Sequence, residues 1–211
     1  MSATSVSIED QRDVLLAWCS PIADEQFLLQ NTKLTTLEWE KLQSFIANRR
    51  RIEWLTTRWL LQQTRFKEET IDYHQSGKPV LNNSDLSISI SHCKEIVAIA
   101  IHTKGKAIGI DCETIESRIL KIKHKFTNVQ EFSHINKNEL ENLSLVWCAK
   151  EALFKLYAKG EVNFNVDLQV NNFDFCSEGG TFTGTISKEK VEQYTIQYKL
   201  IQNSLLVWVA E

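Results

Sequence analysis

The order of predicted helices and strands restricts the fold of this chain more than any other feature of its sequence. Helical patterns begin at the capping-box pair Thr35 and Glu38, near residue 49 and near residue 138. Strand patterns occupy residues 14–19, 86–91, 96–102, 107–113, 181–187, 194–201 and 205–209. Helices followed by strands therefore occur twice, once on each side of about residue 105. Segregated helices and antiparallel strands of this kind predict an α+β fold.

Composition argues against several classes of protein. The 211 residues carry a net charge of −3, which disfavours a nucleic-acid binder that depends on clustered excess cations. The longest apolar run, residues 96–101, is far shorter than the roughly 20 residues of a membrane helix. The first five residues lack the features of a secretory signal, and the five cysteines include no Cys-x-x-Cys pair. We therefore predict a cytoplasmic protein with reduced thiols.

The segment 109–113 brings two carboxylates to one face of a predicted strand. Asp111 and Glu113 share that face with Gly109, whereas Ile110 and Cys112 point to the core. The missing side chain of Gly109 would let a ligand approach the backbone. Neighbouring carboxylates favour a hard cation such as Mg²⁺ or Ca²⁺ between them. A solvated strand face is nevertheless the more common origin of an isolated Asp-x-Glu pair.

Two other segments carry side chains suited to phosphate chemistry. Glu151 and Lys155 are four residues apart on the long predicted helix, a spacing that suits an exposed ion pair. The same spacing also suits a third carboxylate ligand at Glu151, with Lys150 and Lys155 neutralising a phosphate. His92, at the end of a predicted strand, has either a structural role or a phosphate-binding role.

The order of four motifs resembles the 4'-phosphopantetheinyl transferase superfamily, in its longer, surfactin-synthetase-activating class. The motifs are Gly-Lys-Pro at 77–79, Ser-Ile-Ser-His-Cys at 89–93, Gly-Ile-Asp-Cys-Glu at 109–113 and Trp-Cys-Ala-Lys-Glu-Ala-Leu-Phe-Lys at 147–155. The resemblance implies a monomer of two similar, pseudo-duplicated α/β lobes, each with a small, mainly antiparallel sheet packed against helices. Residues 1–104 would bind the nucleotide of coenzyme A, and residues 105–211 would carry the metal-binding residues.

The resemblance implies transfer of the phosphopantetheine arm of coenzyme A to a serine of an apo acyl or peptidyl carrier protein. The reaction would depend on Mg²⁺, release adenosine 3',5'-bisphosphate and serve fatty-acid, polyketide or non-ribosomal-peptide synthesis. Mg²⁺ would be bound by Asp111, Glu113 and Glu151. Coenzyme A would be bound by Arg51, Arg58, Lys78, Pro79, His92, Lys150 and Lys155. Glu151 and Lys155 would also act in catalysis, and Glu131 would be the general base for the carrier serine.

Some assignments stay open in the sequence. The basic segment formed by Arg118, Lys121, Lys123, His124 and Lys125 is either a docking surface for an acidic carrier or a solvated helix face. A metal-dependent phosphodiesterase would need a similar set of acidic and basic side chains. A non-catalytic module that binds coenzyme A or a carrier protein is the third hypothesis.

Overall fold

The protein is described here by a computed structural model covering residues 5–82, 84–128, 131 and 138–211. In these ranges the helices are α1 (Glu25–Asn31), α2 (Thr36–Gln43), α3 (Asn48–Gln62), α4 (Arg118–Ile122) and α5 (Glu139–Tyr157), with a 3₁₀ turn at Lys123–Lys125. The strands are β1 (Ser7–Gln11), β2 (Val14–Cys19), β3 (Ile71–Tyr73), β4 (Pro79–Leu81), β5 (Ser87–His92), β6 (Val97–His102), β7 (Ile108–Thr114), β8 (Leu168–Val170), β9 (Gly180–Ser187), β10 (Val191–Ile201) and β11 (Ser204–Ala210).

The first sheet belongs to the N-terminal lobe, a name that we use for residues up to 104. Its strands are antiparallel in the order β1-β2-β6-β5. Strand β6 is buried on both faces: Val97 and Ile99 pack in one core with the helices, whereas Ala98 and Ala100 face a second sheet. This double burial explains why residues 96–101 are uniformly apolar, because neither face of the strand meets water.

The second sheet belongs to the C-terminal lobe, residues 105–211. Its strands are antiparallel in the order β7-β11-β10-β9-β8. Helix α5 packs on its outer face through buried side chains such as Leu145 and Leu153. The inner face, which includes Ile110 and Trp208, packs against the first sheet. The lobes therefore stack as helices, sheet, sheet and helix.

The edges of the two sheets meet at β5 and β7. The hydroxyl groups of Ser89 and Ser91 accept hydrogen bonds from the backbone N–H groups of Ile110 (3.0 Å) and Cys112 (3.2 Å). The alternation of serine and isoleucine in β5 is typical of a half-buried strand, but here both serines are buried. They satisfy N–H groups on the β7 edge that have no strand partner, which removes the cost of burying those groups unpaired.

The predicted α+β class is confirmed. Thr35 caps α2 in the predicted capping box with Glu38, although the helix ends at Gln43 rather than near Ala47. Sequence patterns did not reveal α1, β1, β8 or the β3–β4 hairpin, which are short. None of the helices in the described part of the chain has the length and apolar character required to cross a bilayer.

Candidate active site

A cavity of about 990 Å³ lies between the two lobes. The N-terminal lobe contributes one face of α3, strand β5 and the β3–β4 hairpin, and the C-terminal lobe contributes the end of α5 and the segment after it. Basic side chains outnumber acidic ones in its lining, which includes Arg50, Lys78, His92 and Lys155 on one hand and Glu53 and Glu161 on the other. The cavity is thus suited to a ligand with negative charge.

The β3–β4 hairpin supplies one end of the cavity wall. Its turn closes through hydrogen bonds from Gly77 N–H to the His74 carbonyl (2.8 Å) and from His74 N–H to the Lys78 carbonyl (2.9 Å). Gly77 has φ +84°, a left-handed conformation that glycine adopts without steric cost. This turn carries Lys78 and Pro79, two residues predicted to bind the cofactor, into the cavity lining.

His92 lines the cavity at the end of β5 and contacts two side chains of α3. Arg50 lies 2.8 Å from its Nε2 atom, and a Glu53 carboxylate oxygen lies 3.4 Å from its Nδ1 atom. Because a guanidinium group only donates, Nε2 accepts and the proton resides on Nδ1, facing Glu53. Burial lowers the pKa of His92, and the cations Arg50 and Lys155 act in the same direction against Glu53. His92 is therefore a neutral group that orients the Arg50 guanidinium.

Arg50 was not among the predicted site residues. It shares a face of α3 with Trp54 and Thr57, which are four and seven residues further on and also line the cavity. That spacing was visible in the sequence, but without the fold nothing indicated which helix face met the cavity.

The two predicted arginines of α3 lie outside the cavity lining. Arg51 donates to Glu25 (2.6 Å) and to the Leu42 carbonyl (2.7 Å) on the other side of the helix. Arg58 is 3% exposed, pairs with Glu38 at 3.1 Å and stacks on Trp54, with its guanidinium carbon 3.4 Å from the ring centroid. Both arginines therefore join α3 to neighbouring elements.

Asp111 lies behind Lys155 at the wall of the cavity. Its Oδ1 atom accepts hydrogen bonds from Lys155 Nζ (2.7 Å) and Ser91 Oγ (2.8 Å). Lys155 Nζ also donates to the Ile110 carbonyl at 2.9 Å. Burial alone would lower the pKa of Lys155, but the negative charge of Asp111 raises it above its usual value. Lys155 is therefore a permanently protonated group that faces the cavity and pairs with Asp111, rather than one member of an exposed pair with Glu151.

The expected role of Gly109 is wrong. A Cβ atom at this position would lie 1.9 Å from the Ala152 carbonyl oxygen and 2.8 Å from the Leu156 nitrogen. The absent side chain therefore allows the close approach of α5 to β7, not the approach of a ligand to the backbone. This close packing brings the helix carrying Glu151 and Lys155 beside the strand carrying Asp111.

Asp111, Glu113 and Glu151 share one region of negative potential. Burial, together with the charges of Asp111 and Glu113, raises the pKa of Glu151 to about 7. Burial also raises the pKa of Glu113, although its contact with Arg118 opposes this shift. Carboxylates that repel one another in this way are suited by ligand type to a hard divalent ion.

Two of these carboxylates are already paired with basic side chains. Lys155 contacts Asp111, and Arg118 contacts Glu113. Within the described residues, no three histidine, cysteine, aspartate or glutamate side chains form a group that could hold a metal ion. An ion at this position would therefore have to replace or displace the two basic side chains.

Glu131 and Lys150 form a separate ion pair inside the C-terminal lobe. Lys150 is fully buried, and its Nζ atom donates to Glu131 (2.8 Å) and to the carbonyls of Phe126 (2.6 Å) and Phe164 (2.8 Å). The Oε1 atom of Glu131 accepts from the Val170 N–H group at 2.8 Å. Neither residue is part of the cavity lining. These contacts favour a structural role for both residues.

Together, the fold and the site define a two-lobed α+β protein with a cavity between its lobes that basic side chains line, and with an acidic cluster behind one wall. Residues 107–208 match the family model of the 4'-phosphopantetheinyl transferase superfamily. This match confirms the resemblance at the level of the superfamily, over residues 107–208. No curated protein matches the chain. The superfamily domain supports phosphopantetheine transfer as the general activity, and hence a transferase.

Proposed function

We propose that this protein transfers the 4'-phosphopantetheine arm of coenzyme A to a serine of an apo acyl or peptidyl carrier protein, with Mg²⁺. The observation that carries the proposal is the position of Lys155, which lines the cavity and contacts Asp111 of the acidic cluster. A phosphate in the cavity near Lys155 would therefore lie beside the carboxylates predicted to bind Mg²⁺. The family match supports this choice, because proteins of this family act on carrier proteins with coenzyme A.

The cavity residues divide the binding of coenzyme A between the lobes. Arg50 and Lys78 supply positive charge from the N-terminal lobe, and neutral His92 holds the Arg50 guanidinium in place. Lys155 supplies positive charge from the C-terminal lobe. Aromatic side chains of both lobes, Trp54 and Phe154 among them, offer apolar surface for the uncharged parts of the ligand. Pro79, predicted to bind the cofactor, lines the same wall as Lys78.

Asp111, Glu113 and Glu151 would hold Mg²⁺. When bound, this ion would neutralise charge that develops on the phosphate groups during transfer. Asp111 is buried, and Glu113 and Glu151 are half-buried. Burial and the charge of Asp111 raise the pKa of Glu151, and a cation bound between the three carboxylates would offset both effects. Lys155 would then be free to turn from Asp111 to the substrate phosphate. Glu131 is not part of this proposal, because both of its carboxylate oxygens already accept hydrogen bonds within the lobe.

A carrier protein would approach near the basic segment that follows β7. Lys121 and Lys125 are exposed, and Arg118 of the same segment contacts Glu113 of the acidic cluster. A carrier with acidic residues around its serine would be attracted to this side of the molecule.

The proposal is tested by incubating the protein with coenzyme A, Mg²⁺ and several apo-carrier proteins, and then measuring the mass of each carrier. An increase by one phosphopantetheine group on at least one carrier is expected, together with release of adenosine 3',5'-bisphosphate. Hydrolysis of a simple phosphodiester without any mass increase would favour the phosphodiesterase. Binding of coenzyme A or a carrier without either reaction would favour the non-catalytic module.

A further inference from the structure

A hydroxyl group of the N-terminal lobe contacts the acidic cluster of the C-terminal lobe. Ser91 Oγ donates to Oδ1 of Asp111 at 2.8 Å and accepts from the Cys112 backbone N–H at 3.2 Å. The Ser91 residue is 7% exposed and Asp111 is 6% exposed, so water competes little for these bonds. The orientation of the Ser91 hydroxyl is therefore set by two bonds, one that it donates and one that it accepts.

Ser89, two residues earlier on the same strand, makes the backbone hydrogen bond but not the contact with a carboxylate. Ser89 Oγ accepts from the Ile110 N–H at 3.0 Å and is 4% exposed. Among the described residues, Ser89 makes no hydrogen bond to a carboxylate. The two serines therefore contribute alike to joining the sheet edges, and they differ in their contact with Asp111.

Ser91 and Lys155 both donate to the same oxygen atom of Asp111. Lys155 lines the cavity and would shift towards a bound phosphate, whereas Ser91 is held by the β7 backbone and would stay. Once Lys155 has shifted, the Ser91 hydroxyl would remain as a donor on Oδ1, and the Cys148 thiol, a much weaker donor, would also remain beside Asp111. A carboxylate that keeps such a donor stays oriented, and loss of an outer partner of this kind typically costs a metal site 10- to 100-fold in affinity.

We propose that Ser91 is a positioning residue that orients Asp111 for the divalent ion, so that a residue of the N-terminal lobe sets the affinity of the metal site in the C-terminal lobe. This inference rests on the function proposed above, in particular on Asp111 as a metal ligand.

Mn²⁺ is a suitable probe, because its free concentration can be measured by electron paramagnetic resonance. Binding is titrated with and without coenzyme A for the wild-type protein, Ser91→Ala, Ser91→Thr and the matched control Ser89→Ala. We expect Ser91→Ala to weaken Mn²⁺ binding about ten-fold or more in the presence of coenzyme A. Ser89→Ala should stay within about three-fold of wild type, since it removes one backbone partner and no carboxylate contact. Ser91→Thr retains a hydroxyl and should recover most of the affinity.

Two results would overturn the inference: equal affinities for Ser91→Ala and wild type, or equal losses in Ser89→Ala and Ser91→Ala. The second result would mean that the serines act only by joining the sheets. Urea unfolding of each variant checks the fold, and Ser91→Cys, which keeps the volume with a much weaker donor, replaces Ser91→Ala if that variant does not fold.

The outcome is separable from the proposed function. If wild type binds Mn²⁺ but modifies no carrier, the transferase proposal fails while the serine series still decides the inference. If wild type modifies a carrier but Ser91→Ala binds Mn²⁺ normally, the inference alone fails. Absence of Mn²⁺ binding by the wild-type protein would also refute it.

Discussion

The two lobes differ in how they bring charged groups to the cavity. The N-terminal lobe collects its cavity side chains from three separated elements: Arg50 from α3, Lys78 from a hairpin and His92 from the end of β5. The C-terminal lobe builds its acidic cluster from strand β7 and helix α5, which packs on it, and Gly109 allows the close approach of the two. The residues of the acidic cluster can be predicted from the periodicity of one strand and one helix. The basic residues of the N-terminal lobe cannot, because their grouping depends on how three separate elements pack together.

The largest expected effect is the loss of transfer in variants of the acidic cluster of the C-terminal lobe. Asp111→Ala removes a predicted metal ligand and the partner of Lys155, so we expect transfer to a carrier to fall below detection. Glu151→Ala should have the same effect. The control is Asp167→Ala, which removes a half-buried carboxylate outside the cavity lining that pairs with Lys188 and accepts from the Asn163 N–H group. Wild-type transfer rates in either cluster variant, measured by carrier mass, would contradict the metal assignment.

The buried pair Lys150–Glu131 should matter for stability instead of ligand binding. Lys150→Met leaves the Glu131 carboxylate buried without its cation, and breaking a buried pair in this way typically costs about 3–5 kcal/mol. We expect urea denaturation to show a loss of this size in the free energy of unfolding. The double variant Lys150→Met/Glu131→Gln should recover much of it, because no unpaired charge then stays buried. A loss below about 1 kcal/mol in the single variant would argue against the pair as a structural element.

Substitutions of two adjacent arginines, Arg50 and Arg51, test how the N-terminal lobe contributes to the cavity. Arg50→Ala removes a charged donor from the cavity, and hydrogen bonds to charged groups contribute about 1.5–3 kcal/mol. We therefore expect the KM for coenzyme A to rise about ten-fold or more. Arg51→Ala removes the contacts with Glu25 and Leu42 outside the cavity, and should lower stability while the KM changes little. An equal rise in KM for both variants would show that the cavity face of α3 is wrongly assigned.

The same contrast explains how much the sequence could predict. Strand period fixed the faces of β7, so the burial of Ile110 and Cys112 and the shared face of Asp111 and Gly109 followed from alternation alone. Helix α3 is buried from Ile52 to Leu61, so its sequence offers no clear polar face. For that reason the choice of Arg51 and Arg58, rather than Arg50, could not be corrected without the fold.

The contacts of the lysines also required three-dimensional information. Lys150 and Lys155 are five residues apart on α5, and both were predicted to bind phosphate. The structure buries Lys150 against Glu131 and turns Lys155 to Asp111 and the cavity. Nothing in the local sequence distinguishes two lysines whose partners are 19 and 44 residues away.

A smaller effect concerns pH. The pKa of Glu151 is raised from 4.5 to about 7, so between these values the unfolded chain loses a proton that the folded, metal-free protein keeps. Its stability should therefore fall as pH rises from about 4.5 to 7. Glu151→Gln should flatten this part of the profile, and Mg²⁺, which binds the ionised cluster, should stabilise the wild type more at pH 8 than at pH 6. Melting temperatures measured across this pH range, with and without Mg²⁺, test the prediction. Parallel profiles of stability against pH for the wild type and Glu151→Gln would contradict a raised pKa at Glu151.

The smallest effect concerns the approach of the carrier to the C-terminal lobe. Exposed charges mainly steer association, and salt screens them over about 8–10 Å. Lys121→Glu/Lys125→Glu should therefore raise the KM for an acidic carrier a few-fold at low salt, with little change in kcat or in the KM for coenzyme A. The matched control, Lys67→Glu/Lys190→Glu, makes the same change in net charge with two exposed lysines outside the segment. If both double variants raise the carrier KM equally, net charge is responsible and the basic segment is not a docking surface.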